Sequence, residues 1–221
     1  LKRTFLTYSI LAFSCIGVSQ TNDAGFWLGF TLDLDLKKKY HAGLDVQSRW
    51  NENISEAKTN FIEPWASKDW TDRFSTTLSY RIISRRNLEN IYNGRDRISL
   101  DFKYKTKIKS VKIQYRLRTQ RRLGIVDFEQ ARNADFVMRH RIKFGYKLNK
   151  RWNCSILGEP YFSRESTGEW SLTNLRFRAN LDFKVKKRNY LSLGYLIQQE
   201  QSTRNPLTEY NMIIGYTIIL K

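Results

Sequence analysis

Phe136-Val137-Met138-Arg139-His140-Arg141-Ile142-Lys143-Phe144-Gly145-Tyr146-Lys147-Leu148 is the stretch that decides the fold. Phe136, Met138, His140, Ile142, Phe144, Tyr146 and Leu148 fall on one face of an extended chain. Val137, Arg139, Arg141, Lys143, Gly145 and Lys147 fall on the other. A period of two is that of a β-strand whose two faces meet different surroundings. A helix would scatter both sets around its circumference. The alternation also outruns a soluble strand, which averages about 5–6 residues.

Working outward, the same pattern recurs. Leu28, Phe30, Leu32, Leu34 and Leu36 alternate with Gly29, Thr31, Asp33 and Asp35. Tyr40, Ala42, Leu44, Val46 and Trp50 oppose His41, Gly43, Asp45, Gln47 and Arg49. Further alternating runs cover 73–82, 97–104, 111–118, 175–185, 191–198 and 210–220, with weaker ones at Asn60–Ser67 and Trp152–Phe162. In the strong runs His140 is the one titratable side chain other than Tyr on an apolar face, and the opposite faces carry most of the charge. A soluble sandwich buries its apolar faces against each other. A single sheet closed in lipid turns them outward and needs about 9–11 residues per tilted strand. The expected fold is therefore all-β, a single antiparallel transmembrane up-and-down β-barrel. Eleven runs are legible, but bacterial barrels normally have an even strand number. Twelve strands are expected, within a range of ten to twelve.

The connections sort by length. Short ones fall at Lys37–Lys39, Ser67–Asp72, Thr106–Lys109, Asn149–Lys150 and Lys186–Asn189. Longer ones fall at Asn51–Lys58, Ile83–Asn93, Arg121–Asp135, Ser163–Ser171 and Gln201–Thr208. Outer-membrane barrels pair short periplasmic turns with long external loops. Trp27, Tyr40, Trp50, Trp65, Trp70, Trp152, Trp170, Tyr190 and Tyr210 cluster toward strand ends, as interfacial girdles would.

Composition agrees. The chain has 221 residues, 39 Lys+Arg against 21 Asp+Glu, and a formal net charge of +18. Aromatics at 14% argue against a disordered polycation. Two Cys exclude a disulfide scaffold. A mean hydropathy of −0.57 excludes a polytopic helical membrane protein but not a barrel. Lys2-Arg3 followed by an apolar run to Val18, with small residues Gly17 and Ser19, reads as a signal peptide over residues 1–19. Residues 20–221 then form the barrel domain. The expected location is the outer membrane of a Gram-negative cell, reached through that cleaved leader.

Several short motifs carry a resemblance. They are Phe26-Trp27-Leu28, Gln47-Ser48-Arg49, Arg139-His140-Arg141, Gly158-Glu159-Pro160-Tyr161-Phe162, Asn174-Leu175-Arg176-Phe177-Arg178 and Leu193-Gly194-Tyr195. In this order and spacing they resemble the bacterial family called domain of unknown function 2490, common in Bacteroidetes, over roughly residues 22–220. The resemblance implies an outer-membrane β-barrel of unassigned role and supplies no catalytic residues.

The face opposite the apolar one predicts a lumenal charge ladder of Arg49, Glu63, Arg81, Arg97, Asp101, Arg116, Arg139, Arg141, Glu159, Arg176, Arg178 and Asp182. Charged groups in a narrow barrel must be paired or hydrated. Two roles fit: a structural plug of cross-strand ion pairs, or a narrow passive pore whose surplus of Arg favours anions. An outer-membrane lipid-modifying hydrolase is the alternative. Its base would have to be His41, which faces the lumen near Asp45, while Ser48 points to the opposite face. No enzyme, cofactor or metal site is expected. Arg116, Arg118, Arg121 and Arg122 gather at a strand end that could grip phosphates. In an exported chain such residues point to lipopolysaccharide rather than nucleic acid. The expected partners are outer-membrane lipid, lipopolysaccharide and small anionic solutes, around a monomer.

Overall fold

The computed structural model describes residues 21–87, 89–123, 136–164, 168–201 and 203–221. The expected signal peptide lies outside these residues. Every regular element among them is a strand: β1 (Thr21–Asp35), β2 (Tyr40–Asn51), β3 (Glu56–Asp69), β4 (Phe74–Arg86), β5 (Tyr92–Ile108) and β6 (Val111–Arg122), followed by β7 (Phe136–Lys147), β8 (Trp152–Arg164), β9 (Trp170–Lys186), β10 (Asn189–Glu200) and β11 (Leu207–Leu220). Each strand pairs with its sequence neighbours, and β1 pairs with β11 to close a barrel.

The barrel differs from the expected twelve antiparallel strands. The described residues form eleven strands, and the closing pair is parallel, in register from Thr21 opposite Leu207 to Leu34 opposite Leu220. Each of the eleven runs legible in the sequence is one of these strands. An up-and-down chain with an odd number of strands can close only by pairing its first and last strands in parallel. Parallel pairing is slightly weaker per residue. Here the lumenal side of the seam is backed by the buried apolar cluster of Trp27, Leu196 and Ile213.

The hairpin connections define two rims. Among the described residues the turn rim holds 36–39, 70–73, 109–110, 148–151 and 187–188, and the loop rim holds 52–55, 87, 89–91, 123, 168–169, 201 and 203–206. The connection expected at Asn51–Lys58 is shorter than read, because β2 and β3 run further. Its residues Glu52, Asn53 and Ile54 all take left-handed φ values of 52°, 55° and 70°. That conformation is costly for residues other than Gly. The Asp23 carboxylate supports it by accepting the Glu52 and Asn53 backbone N–H groups at 3.2 and 3.0 Å.

Strand faces follow the sequence alternation. Ile156 and Phe177 are 61% and 58% exposed on the outside, while Asp101 and Glu159 are 1% and 3% exposed within. Two aromatics depart from the expected girdles. Trp27 is buried on the lumenal parity of β1, and Trp65 lies inside against Gly43. A Cβ on Gly43 would sit 2.3 Å from Trp65 Cζ2 and 2.4 Å from the Leu32 carbonyl oxygen. Trp50, Trp70 and Trp170 remain exposed near strand ends.

Two strands carry a proline in mid-ladder, each directly after a lumenal glutamate. In β3, Glu63-Pro64 pairs fully with β2, but the ladder to β4 skips from Ile62 opposite Ile82 to Trp65 opposite Ser79. In β8, Glu159-Pro160 pairs fully with β9, but the ladder to β7 skips from Arg139 opposite Tyr161 to Ile142 opposite Gly158. Proline has no N–H to donate, so the ladder breaks on the side its nitrogen faces.

Candidate functional site: an arginine belt and an arginine mouth

Three buried carboxylates organise the middle of the lumen. Asp101 on β5 accepts a fork from Arg118 on β6, Nε to Oδ1 at 2.5 Å and Nη2 to Oδ2 at 2.8 Å. This bidentate geometry suits guanidinium against carboxylate. Arg118 Nη1 also lies 3.7 Å from Glu63 on β3, and Glu63 accepts Arg81 from β4. Arg116 Nη1 lies 3.6 Å from Asp101, and its Nη2 donates to Glu159 on β8. Glu159 also accepts Arg139 Nη2 from β7 at 2.8 Å and lies 3.8 Å from Arg176 on β9. The contacts run unbroken from Arg81 through Glu63, Arg118, Asp101, Arg116 and Glu159 to Arg139. They form a belt across the lumen, contributed by strands β3 to β9.

The Glu-Pro steps position two of its three carboxylates. Arg81 stands on β4 where the β3 ladder is interrupted, and Arg139 stands on β7 beside the β8 interruption. In both places an arginine of the neighbouring strand binds the glutamate across the missing backbone pairing.

Aromatic faces hold several guanidiniums. Arg81 lies over Phe61 at 3.6 Å, Arg139 over Tyr161 at 4.2 Å and Arg49 over Trp27 at 3.9 Å. Such stacking contributes about 0.5–2 kcal/mol each, more when desolvated. Beside the belt a cavity of about 320 Å³ is lined by residues including Trp27, Asp45, Gln47, Arg141 and Leu196. The belt therefore fills only part of the bore.

Toward the loop rim the chemistry changes. A second cavity, of about 190 Å³, shares Arg49, Phe61, Arg81 and Arg97 with the first and adds Arg85, Arg95 and Arg122. Among its described lining residues the sole carboxylate is Asp96, which has the outward parity of β5 and accepts the Tyr80 hydroxyl at 3.1 Å. The barrel wall places Arg81 directly opposite Arg97, and Arg97 directly opposite Arg122. Like charges directly opposite each other destabilise a sheet. Arg97 Nε is buried and has no hydrogen-bond partner among the described residues.

Toward the turn rim lysine replaces arginine. A cavity of about 220 Å³ is lined by Lys112, Lys143, Lys147 and Asp182, among others. Asp182 accepts the Ser192 hydroxyl at 2.6 Å rather than joining the belt, and Arg178 donates to Asn180.

The expected ladder thus divides. Glu63, Arg81, Asp101, Arg116, Arg139, Glu159 and Arg176 meet in the belt. Arg49, Arg97, Arg141 and Arg178 line the cavities. Asp182 belongs to the turn end. Parity alone did not point to Phe61, Trp27 and Tyr161 as guanidinium platforms, nor to Arg85 and Arg95 as mouth residues. His41 is also placed differently from the expectation. Asp45 accepts the Thr31 hydroxyl at 2.8 Å, and Ser48 accepts the Trp50 indole N–H at 2.7 Å. His41 instead sits between Asp35, 3.5 Å from Nδ1, and Asp69, 3.4 Å from Nε2. No group of three or more His, Cys, Asp or Glu with the geometry to hold a metal occurs among the described residues.

No curated protein matches the chain. Among solved structures, the β domain of the Bordetella autotransporter BrkA is similar at a TM-score of 0.45 and 11% identity, covering 77% of this chain and 79% of that one. The model of a family described as protein of unknown function (DUF2490) matches residues 24–209, and the chain, closed as a barrel around its Glu-Pro carboxylates, belongs to that family.

Proposed function

We propose that the protein is a monomeric, non-enzymatic outer-membrane barrel whose lumen is narrowed by the arginine–carboxylate belt, leaving at most a passive path for small anions. The observation that carries this reading is the inversion of polarity: large apolar side chains lie outside and paired charges lie inside. Water would favour the opposite arrangement, and lipid favours this one. Strand length supports it. Twelve residues, the shortest strand here, rise about 40 Å, which at a tilt of about 45° projects to roughly the 30 Å of a bilayer core. The surplus of Arg over carboxylate in the lumen supports anion preference. The barrel contacts membrane lipid along its apolar face and lipopolysaccharide at its rims, and a leader over residues 1–19 would deliver it.

Two measurements test this. The protein refolded in detergent is expected to migrate faster on a gel before boiling than after, and identical bands would overturn the barrel in lipid. In planar bilayers small anion-selective steps are expected. Cation selectivity would overturn the anion preference, and the absence of any steps would leave only the structural role.

A further inference from the structure

We propose that the cavity at the loop rim is a binding site for a phosphate group, built by Arg97 and Arg122 with Arg49, Arg81, Arg85 and Arg95. The inference rests on the lumen being an aqueous interior, as proposed above, but it does not require ions to pass through.

The wall geometry carries it. Successive strands β4, β5 and β6 present Arg81, Arg97 and Arg122 side by side at directly opposed positions. Glu63 answers the first of these. Among the described residues no ion pair answers Arg97 or Arg122; Arg97 Nε is buried without a hydrogen-bond partner, as are Arg116 Nε and Arg139 Nε in the belt, but those two guanidiniums are ion-paired. A folding requirement alone would place a carboxylate or a neutral side chain there, because opposed like charges weaken the sheet. In the belt Arg118 likewise stands directly opposite Arg139, but there Asp101, opposite Arg118 on its other side, and Glu159 answer the two charges. Sites that violate such local rules are commonly functional, the cost being carried for a ligand.

The chemistry then selects the ligand. Planar guanidinium forks match the oxygens of phosphate, and arginine predominates where such groups are held bidentately. Two of these arginines are also preoriented. Arg49 lies 5.0 Å and Arg81 3.6 Å from the centre of the Phe61 ring, and Arg49 Nε donates to Gln47 at 2.7 Å. Phe61 thus helps form an apolar floor beneath the charged walls. At about 190 Å³ the cavity is smaller than the roughly 300–1,000 Å³ pockets that enclose drug-sized ligands. It suits a pyrophosphate-sized anion, or the phosphorylated end of a larger molecule entering from the loop rim. That end could belong to a soluble phosphorylated compound or to a lipid-borne phosphate reaching over the rim.

The test is calorimetric titration of the full chain, refolded in detergent micelles, with inorganic pyrophosphate and, in a second arm, with purified lipopolysaccharide. Saturable binding that weakens about tenfold in Arg97→Gln and again in Arg122→Gln, and is unchanged in Lys147→Gln at the turn rim, is the expected result. If that pattern appears with pyrophosphate, the site takes soluble phosphates. If it appears with lipopolysaccharide alone, the site takes the lipid-borne group. Titration heats insensitive to both arginine substitutions, or no binding in either arm, would overturn the proposal. Neutral side chains at these positions are compatible with the wall, so loss of fold is not the expected cause of weaker binding. Heat-modifiable migration of each variant checks this. Because the micelle titration reads neither bilayer insertion nor conduction, its result is separable from that of the membrane tests.

Discussion

The belt and the mouth are made of the same side chain and differ in what answers it. In the belt, Glu63, Asp101 and Glu159 bridge successive arginines into one connected network. In the mouth, Arg97 and Arg122 face each other across a strand pair with no such acceptor among the described residues. Both regions are inward and both are rich in arginine, so the surroundings rather than the residue decide the role. The belt is a structural element, whose arginines are desolvated but ion-paired, even though Arg116 Nε and Arg139 Nε have no hydrogen-bond partner among the described residues. The mouth keeps its charge available.

The comparison can be broken by substitution. Glu159→Gln should have the largest effect. It removes the charge that Arg116 and Arg139 share, leaving Arg116 with Asp101 alone and the buried Arg139 guanidinium uncompensated, a loss of about 3–5 kcal/mol in unfolding free energy. Denaturant titration of the refolded barrel measures it, and a change within the noise would mean that the belt does not hold the lumen. Phe61→Leu should cost less, about 1–2 kcal/mol, because it removes the stacking surface of Arg49 and Arg81 while keeping an apolar floor. It belongs to both regions, so it should weaken phosphate binding and stability together. Arg97→Gln should have the smallest effect and the opposite sign. Removing a like charge from between Arg81 and Arg122 should stabilise the barrel by about 0.5 kcal/mol. If Arg97→Gln instead destabilises the fold, the mouth is part of the structural network and the distinction fails.

Much of this was legible in the sequence because side-chain parity is a local property of a strand. The alternation around Arg139 and Arg141 correctly put arginine inside and Phe136, Ile142 and Phe144 outside. The closing pair was not legible. Whether β1 meets β11 in parallel depends on how many strands intervene, and no residue of either strand records that number. Importing an even count from other barrels gave twelve where the runs themselves gave eleven. The belt was legible as a set of inward charges but not as a network. Arg116 and Glu159 are brought together by the curvature and stagger of the wall, across β7, rather than by sequence spacing. Pro64 and Pro160 were visible residues whose meaning appears only when the broken ladders beside Arg81 and Arg139 are seen.

The parallel seam also gives the molecule a direction. A barrel with an even number of up-and-down strands returns its first and last strands to one rim. Eleven strands deliver Thr21 to the loop rim and Leu220 to the turn rim. In a bilayer these two points would face different compartments, so one polypeptide carries its own marker for each side. Epitopes inserted beside Thr21 and after Leu220 would then differ in their access to an antibody added to intact cells. The sidedness of the phosphate-binding mouth could be read from that difference without a ligand.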